Sequence, residues 1–210
     1  MIELQNMTPI FFRRASSEIP CDEAESAYYL GYKKSSPPEK NVSELICSCC
    51  RKMQTVLAPQ AVYAEYNLSF GEKNMISFAD VSFCSKDLMR NLHNCSAVVL
   101  LAATVGAQVD TMIRRAQLSG SAEAAVMQGC GAMFVESLVD LVNSEIRENA
   151  EKRRMCAHPR FSPGYGDVPL ELQKEFFRLL PCSKIGLSLM DTLIMAPEKS
   201  VTAFIGLENI

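Results

Sequence analysis

Histidine is scarce in this chain: His93 and His158 are the two among 210 residues. No Ser-His-Asp or Cys-His arrangement can be assembled around them, so nucleophilic hydrolysis is left without a candidate. Basic charge is not in excess either. Twenty-one Lys and Arg face 24 Asp and Glu, for a net charge of −3, whereas a nucleic-acid binder would carry a basic face or stripe. The one basic run, Lys152-Arg153-Arg154, suits a solvated helix end, where it meets the negative pole of the helix dipole. No run of about 18 apolar residues and no charged-then-apolar leader is present, so a soluble, cytoplasmic protein without a membrane partner is expected. The nine cysteines are odd in number and lack the paired spacing of a disulfide framework, which predicts reduced thiols. Cys47-Ser48-Cys49-Cys50 has no second pair downstream to complete a tetrahedral zinc site, so no metal is expected. A dinucleotide fold is disfavoured because only Gly106 stands where a glycine-rich turn is needed. There is no internal repeat and no low-complexity tract.

What is present is enough apolar residue, 48%, to fill a sizeable core, and the simplest reading is one domain over residues 1–210. Residues 1–26 read as an irregular lead with a short helix at 22–26, and residues 27–33 as a strand. Helical spacing covers 39–57, and Ser85 looks like the cap of a helix ending at Leu92. Strands are expected at 61–70 and 75–78. Residues 96–104 form a continuous apolar run, the mark of a strand buried on both faces. A helix follows to Leu118, then a longer one over 122–154, with a bend expected near Gly129 or Gly131. A short helix over 170–180 precedes two strands, 189–195 and 201–207, read as a terminal hairpin. These elements mix without regular alternation, which favours α+β.

Between the longest helix and the last quarter lies Arg160-Phe161-Ser162-Pro163-Gly164-Tyr165-Gly166-Asp167-Val168-Pro169. Pro163 and Gly164 read as the central pair of a type II turn, because proline fixes its own φ and glycine accepts a positive one. Arg160 offers a planar fork of donors to a carboxylate or phosphate, and Tyr165 a ring that can stack on a heterocycle or lie beside a cation. A carboxylate, a cation and a flat ring together describe S-adenosylmethionine.

Arg160, Gly164, Tyr165 and Pro169, followed by Pro197, Ser200, Val201 and Thr202, resemble two motifs of the activation domain of cobalamin-dependent methionine synthase. The likeness is traceable from about residue 45 to the C-terminus. It implies a curved, largely antiparallel sheet with flanking helices. It also implies an S-adenosylmethionine site formed by Glu136, Arg160, Pro163, Gly164, Tyr165, Gly166, Ser200 and Thr202, with Phe204 beside them. Arg160 would take the methionine carboxylate, Glu136 the ammonium, and Tyr165 the adenosyl portion. The implied role is that of a stand-alone component that restores a cobalamin-dependent methyltransferase after accidental oxidation. One electron would come from a flavodoxin-like donor and the methyl group from S-adenosylmethionine, while the cobalamin is carried by a partner, methionine synthase or another corrinoid protein. Neither histidine sits in Asp-x-His-x-x-Gly, so this chain is not expected to ligate cobalt itself.

The family's pattern is not complete here. An arginine one turn before Glu136 is replaced by Met133, a glutamate six residues before the motif arginine by Arg154, and an N-terminal aspartate has no counterpart. Each charged hydrogen bond lost costs about 1.5 to 3 kcal/mol, so a non-catalytic capping module that has lost the ligand is the alternative. Glu136, Asp140, Asn143 and Arg147 share one helix face, which a solvated surface also explains. Asp167 reads as a cap for the helix that follows, or as an acceptor for ribose hydroxyls. His158 lies close to the loop and reads as structural.

Overall fold

The computed structural model describes residues 8–119 and 122–210. Its centre is the apolar run foreseen as a doubly buried strand. In β5 (Cys95–Thr104), Val99, Leu101 and Ala103 face one core cluster while Val98, Leu100 and Ala102 face another. Such a strand needs a neighbour on each edge, and it has two. β2 (Gln60–Gly71) pairs along one side and β9 (Ser200–Asn209) along the other, both antiparallel.

β3 (Met75–Phe78) and β4 (Val81–Cys84) extend the sheet beyond the C-terminal half of β2, and β1 (Ile10–Arg13) pairs with its first residues. β6 (Met155–Ala157) closes the far edge against β9. Among the described residues the order is β4-β3-β2-β5-β9-β6, with β1 also on β2, and every pairing is antiparallel.

Helices cover both faces. On one lie α1 (Glu23–Tyr29), α2 (Lys40–Gln54), α4 (Ala107–Leu118) and α5 (Ala122–Glu151). On the other lie α3 (Lys86–Asn91) and α6 (Gln173–Leu179), where Phe176 packs edge-on against Phe204 of β9 with ring centroids 4.7 Å apart. The α+β class read from the sequence is therefore the observed one.

α5 is the backbone of the helical layer. At 30 residues it runs about 45 Å, and by length and composition it could cross a membrane, yet 67% of its apolar window is buried inside the protein. The helix is continuous through the glycines where a bend was expected. Both glycines allow close approach: a β-carbon on Gly129 would sit 3.0 Å from the Ser26 carbonyl, and one on Gly131 3.0 Å from the Lys199 side chain.

Four local readings are corrected. Of the lead at residues 1–26, residues 1–7 lie outside the described residues, and the rest is not irregular, since β1 and the start of α1 lie within it. Residues 27–33 are not a strand: Asp22 accepts hydrogen bonds from the amides of Ala24 (2.9 Å) and Glu25 (3.0 Å), and the cap carries the helix through Tyr29. β4 was missed because four residues leave little alternation to read. The terminal hairpin does not exist as drawn. Leu193 takes a positive φ and folds the segment on itself, so β7 (Ser188–Leu189) pairs with β8 (Met195–Ala196) as a separate ribbon. β9 instead enters the main sheet between β5 and β6.

Candidate functional site

The segment 158–169 leaves β6 and follows the free side of β9 before crossing to α6. Phe161 and Phe204 exchange both backbone hydrogen bonds, at 3.0 and 2.7 Å. Because neighbouring side chains on an extended backbone point to opposite faces, Phe161 turns into the core beside α6 and Arg160 turns to the helical face. There the guanidinium meets α5. One terminal nitrogen donates to Glu136 Oε2 at 3.0 Å and the other to Asp140 Oδ1 at 2.7 Å. The two carboxylates are one helical turn apart, so a planar fork spans them without strain.

The turn that follows has the expected form. Tyr165 N donates to Ser162 O at 3.2 Å, with Pro163 buried and Gly164 at φ 88°, as a type II turn requires. A second tight turn comes at once: Val168 N donates to Tyr165 O at 3.0 Å across Gly166 at φ 54°. Gly164 N donates to Val168 O at 2.9 Å and ties the two turns together. Tyr165 is left standing out at 70% exposure, its ring open to solvent.

Asp167 anchors the far end of the loop, though not on the helix that follows. Its carboxylate accepts from the Ser85 hydroxyl and from the amides of Lys86 (2.7 Å) and Asp87 (3.2 Å), so it caps α3, eighty residues earlier in the chain. The Ser85 hydroxyl and these amides hold the carboxyl below its ordinary range. Ser85 itself caps α3, as read from the sequence, accepting from Leu88 N at 3.0 Å.

One element, α1, of which the sequence reading gave only the first turn, completes the surroundings of Arg160. α1 lies across α5, with Asp22 N 3.4 Å from Met133 Sδ. This brings Glu25 and Tyr29 into the field of the α5 carboxylates. Burial, then Asp22, Asp140 and Glu136, push Glu25 up, and Arg160 opposes them. The Tyr29 phenol is pushed up to about 12 by burial, then by Glu136, Glu25 and Tyr165. The available signal was Asp22-Glu23-Ala24-Glu25, an acidic pair at capping spacing.

Of the eight residues singled out, the structure joins Glu136 to Arg160 directly and sets Pro163, Gly164, Tyr165 and Gly166 in the adjoining double turn. It does not bring Ser200 and Thr202 to them. Both sit at even positions of β9 with Phe204, on the face of α6, buried at 9% and 3% exposure, and the Ser200 hydroxyl donates to Pro197 O at 2.7 Å. Among the described residues no group of three or more His, Cys, Asp and Glu could hold a metal ion.

No protein-family model matches the chain, and no curated protein does. Solved structures do: 13 chains match. One is the MetH reactivation domain, solved with AdoHcy bound, whose likeness covers 97% of this chain and 79% of that one at 11% identity and a TM-score of 0.68. The chain thus has the fold of the MetH reactivation domain.

Proposed function

We propose that this protein binds S-adenosylmethionine at the Arg160 loop and acts as a separate reactivation component for a cobalamin-dependent methyltransferase, methionine synthase first among them. The observation that carries the proposal is the fork of Arg160 on Glu136 and Asp140, placed by a fold shared over almost the whole chain with a domain solved around AdoHcy.

The donor set suits the ligand. An amino-acid zwitterion can insert between cation and anion: its carboxylate takes the guanidinium fork, and its ammonium takes the carboxylate thereby released from Arg160. The exchange replaces one set of charge-assisted bonds by another, so Arg160 and Glu136 are never left unpaired. The exposed ring of Tyr165 supplies a stacking face for the adenine. When bound, S-adenosylmethionine would supply the methyl group. The cobalamin belongs to a partner corrinoid protein and the electron to a flavodoxin-like donor.

A second reading is a capping module that docks on a corrinoid protein without a ligand. It is favoured by Met133, buried and neutral where the resembled family has an arginine, and by the full occupancy of the Arg160 fork within the chain itself. Calorimetric titration with S-adenosylmethionine separates the two. The first reading expects binding that Arg160→Ala weakens at least about tenfold, equivalent to 1.4 kcal/mol. Copurification with a corrinoid protein in the absence of any heat of binding selects the second.

A further inference from the structure

His158, two residues before Arg160, has both ring nitrogens engaged. Nδ1 lies 2.6 Å from the carbonyl oxygen of Asn91, the last residue of α3, and Nε2 lies 2.9 Å from Glu208 Oε2 on β9. A backbone carbonyl and a carboxylate are acceptors, so each ring nitrogen must donate, and only the imidazolium carries two N–H groups. Asn91 also donates its side-chain amide to Pro159 O at 3.1 Å, so the end of α3 grips two consecutive residues at the entry to the loop.

The charged and titratable groups around the ring come from every neighbouring element. Glu208 faces it from β9 and is itself held down by His158, then by Asn94 and His93. Asp87 and Arg90 of α3 line the same open groove of about 650 Å³, together with Phe161 and Tyr165. Cys95 of β5 and Cys156 of β6 flank Glu208 in register, and burial pushes the Cys95 thiol up to about 12, which keeps it neutral.

We propose that His158 is a proton-operated latch on the Arg160 loop: the imidazolium ties α3 to β9 across the loop's entry, and loss of its proton removes one of the two ties and loosens the loop. Burial works against the charge, but the Asn91 carbonyl and Glu208 outweigh it and raise the ring above its ordinary value of 6.5. A raised histidine contributes stability that is complete below 6.5 and is lost as pH climbs through the folded value. Glu208, being lowered from 4.5, contributes above that value and is lost as pH falls through its own folded one. The latch is closed between these limits.

The test needs no ligand and so stands or falls apart from the S-adenosylmethionine reading. Nitrogen NMR of the full chain at pH 6 should find both His158 ring nitrogens protonated. Amide exchange over residues 160–168, corrected for its intrinsic pH dependence, should lose roughly tenfold protection as the ring deprotonates, the worth of one charged hydrogen bond. His158→Asn should flatten that step. Glu208→Gln should move its midpoint to lower pH, and this variant decides the matter if the first does not fold. A neutral ring at pH 6, or protection that is the same on both sides of the ring's titration, overturns the proposal.

Discussion

The two ends of the central loop are each held by carboxylates, but in opposite senses. At Asp167 the loop supplies the carboxylate and the scaffold supplies backbone amides, which cannot be offered to anything else without uncapping α3. At Arg160 the loop supplies the cation and α5 supplies two side chains, both of which reach solvent. The difference separates a structural anchor from an exchangeable one. A ligand with its own carboxylate and ammonium can replace what Arg160 holds, whereas nothing small can replace a helix N-terminus.

Substitutions along the loop should grade accordingly. The largest loss of stability belongs to Gly166→Ala. The residue sits at φ 54°, and its new β-carbon would fall 2.5 Å from Asp87 Oδ2. The Asp87 carboxylate can swing aside, so the left-handed backbone sets the cost, about 1 to 2 kcal/mol by urea denaturation. A variant as stable as the parent would show that the double turn is not fixed by its glycine.

Asp167→Ala comes next and should lower the melting temperature by uncapping α3. Because the folded-state carboxyl is depressed, its contribution is complete above the ordinary carboxylate range and is lost as acid takes the pH through the folded value. Parent and variant should therefore differ at neutral pH and converge in strong acid. A difference that does not shrink as the pH falls would assign the effect to something other than the charge.

The smallest effect on stability is expected at Arg160→Ala, within about 1 kcal/mol, since partly exposed ion pairs contribute little. A larger loss would mean that Arg160 is as structural as Asp167, and the contrast between the two ends would fail.

Local chemistry made much of this legible in the sequence. The type II turn at Pro163-Gly164, the Ser85 cap and the doubly buried β5 each follow from residues adjacent in the chain. What was lost depended on distance or on competition. The partner of Asp167 lies eighty residues away, so its capping role could be guessed while the helix it caps could not. Tyr28, Tyr29 and Tyr32 suggest a strand by propensity, yet the cap at Asp22 decides in favour of helix. The run over 189–195 is apolar enough for a strand, but Asp191 and Thr192 precede a left-handed Leu193 that folds it back, and this shifted the partner of β9 from a hairpin to the main sheet. Ser200 and Thr202, which the resemblance put in one site with Arg160, face α6 instead.

Titration of the parent protein and of Arg160→Ala with S-adenosylmethionine at neutral pH probes the exchangeable anchor most directly. Saturable binding by the parent, weakened at least about tenfold in the variant while its fold is kept, is the predicted result. No heat from the parent at millimolar ligand, or equal affinity in both proteins, would contradict it.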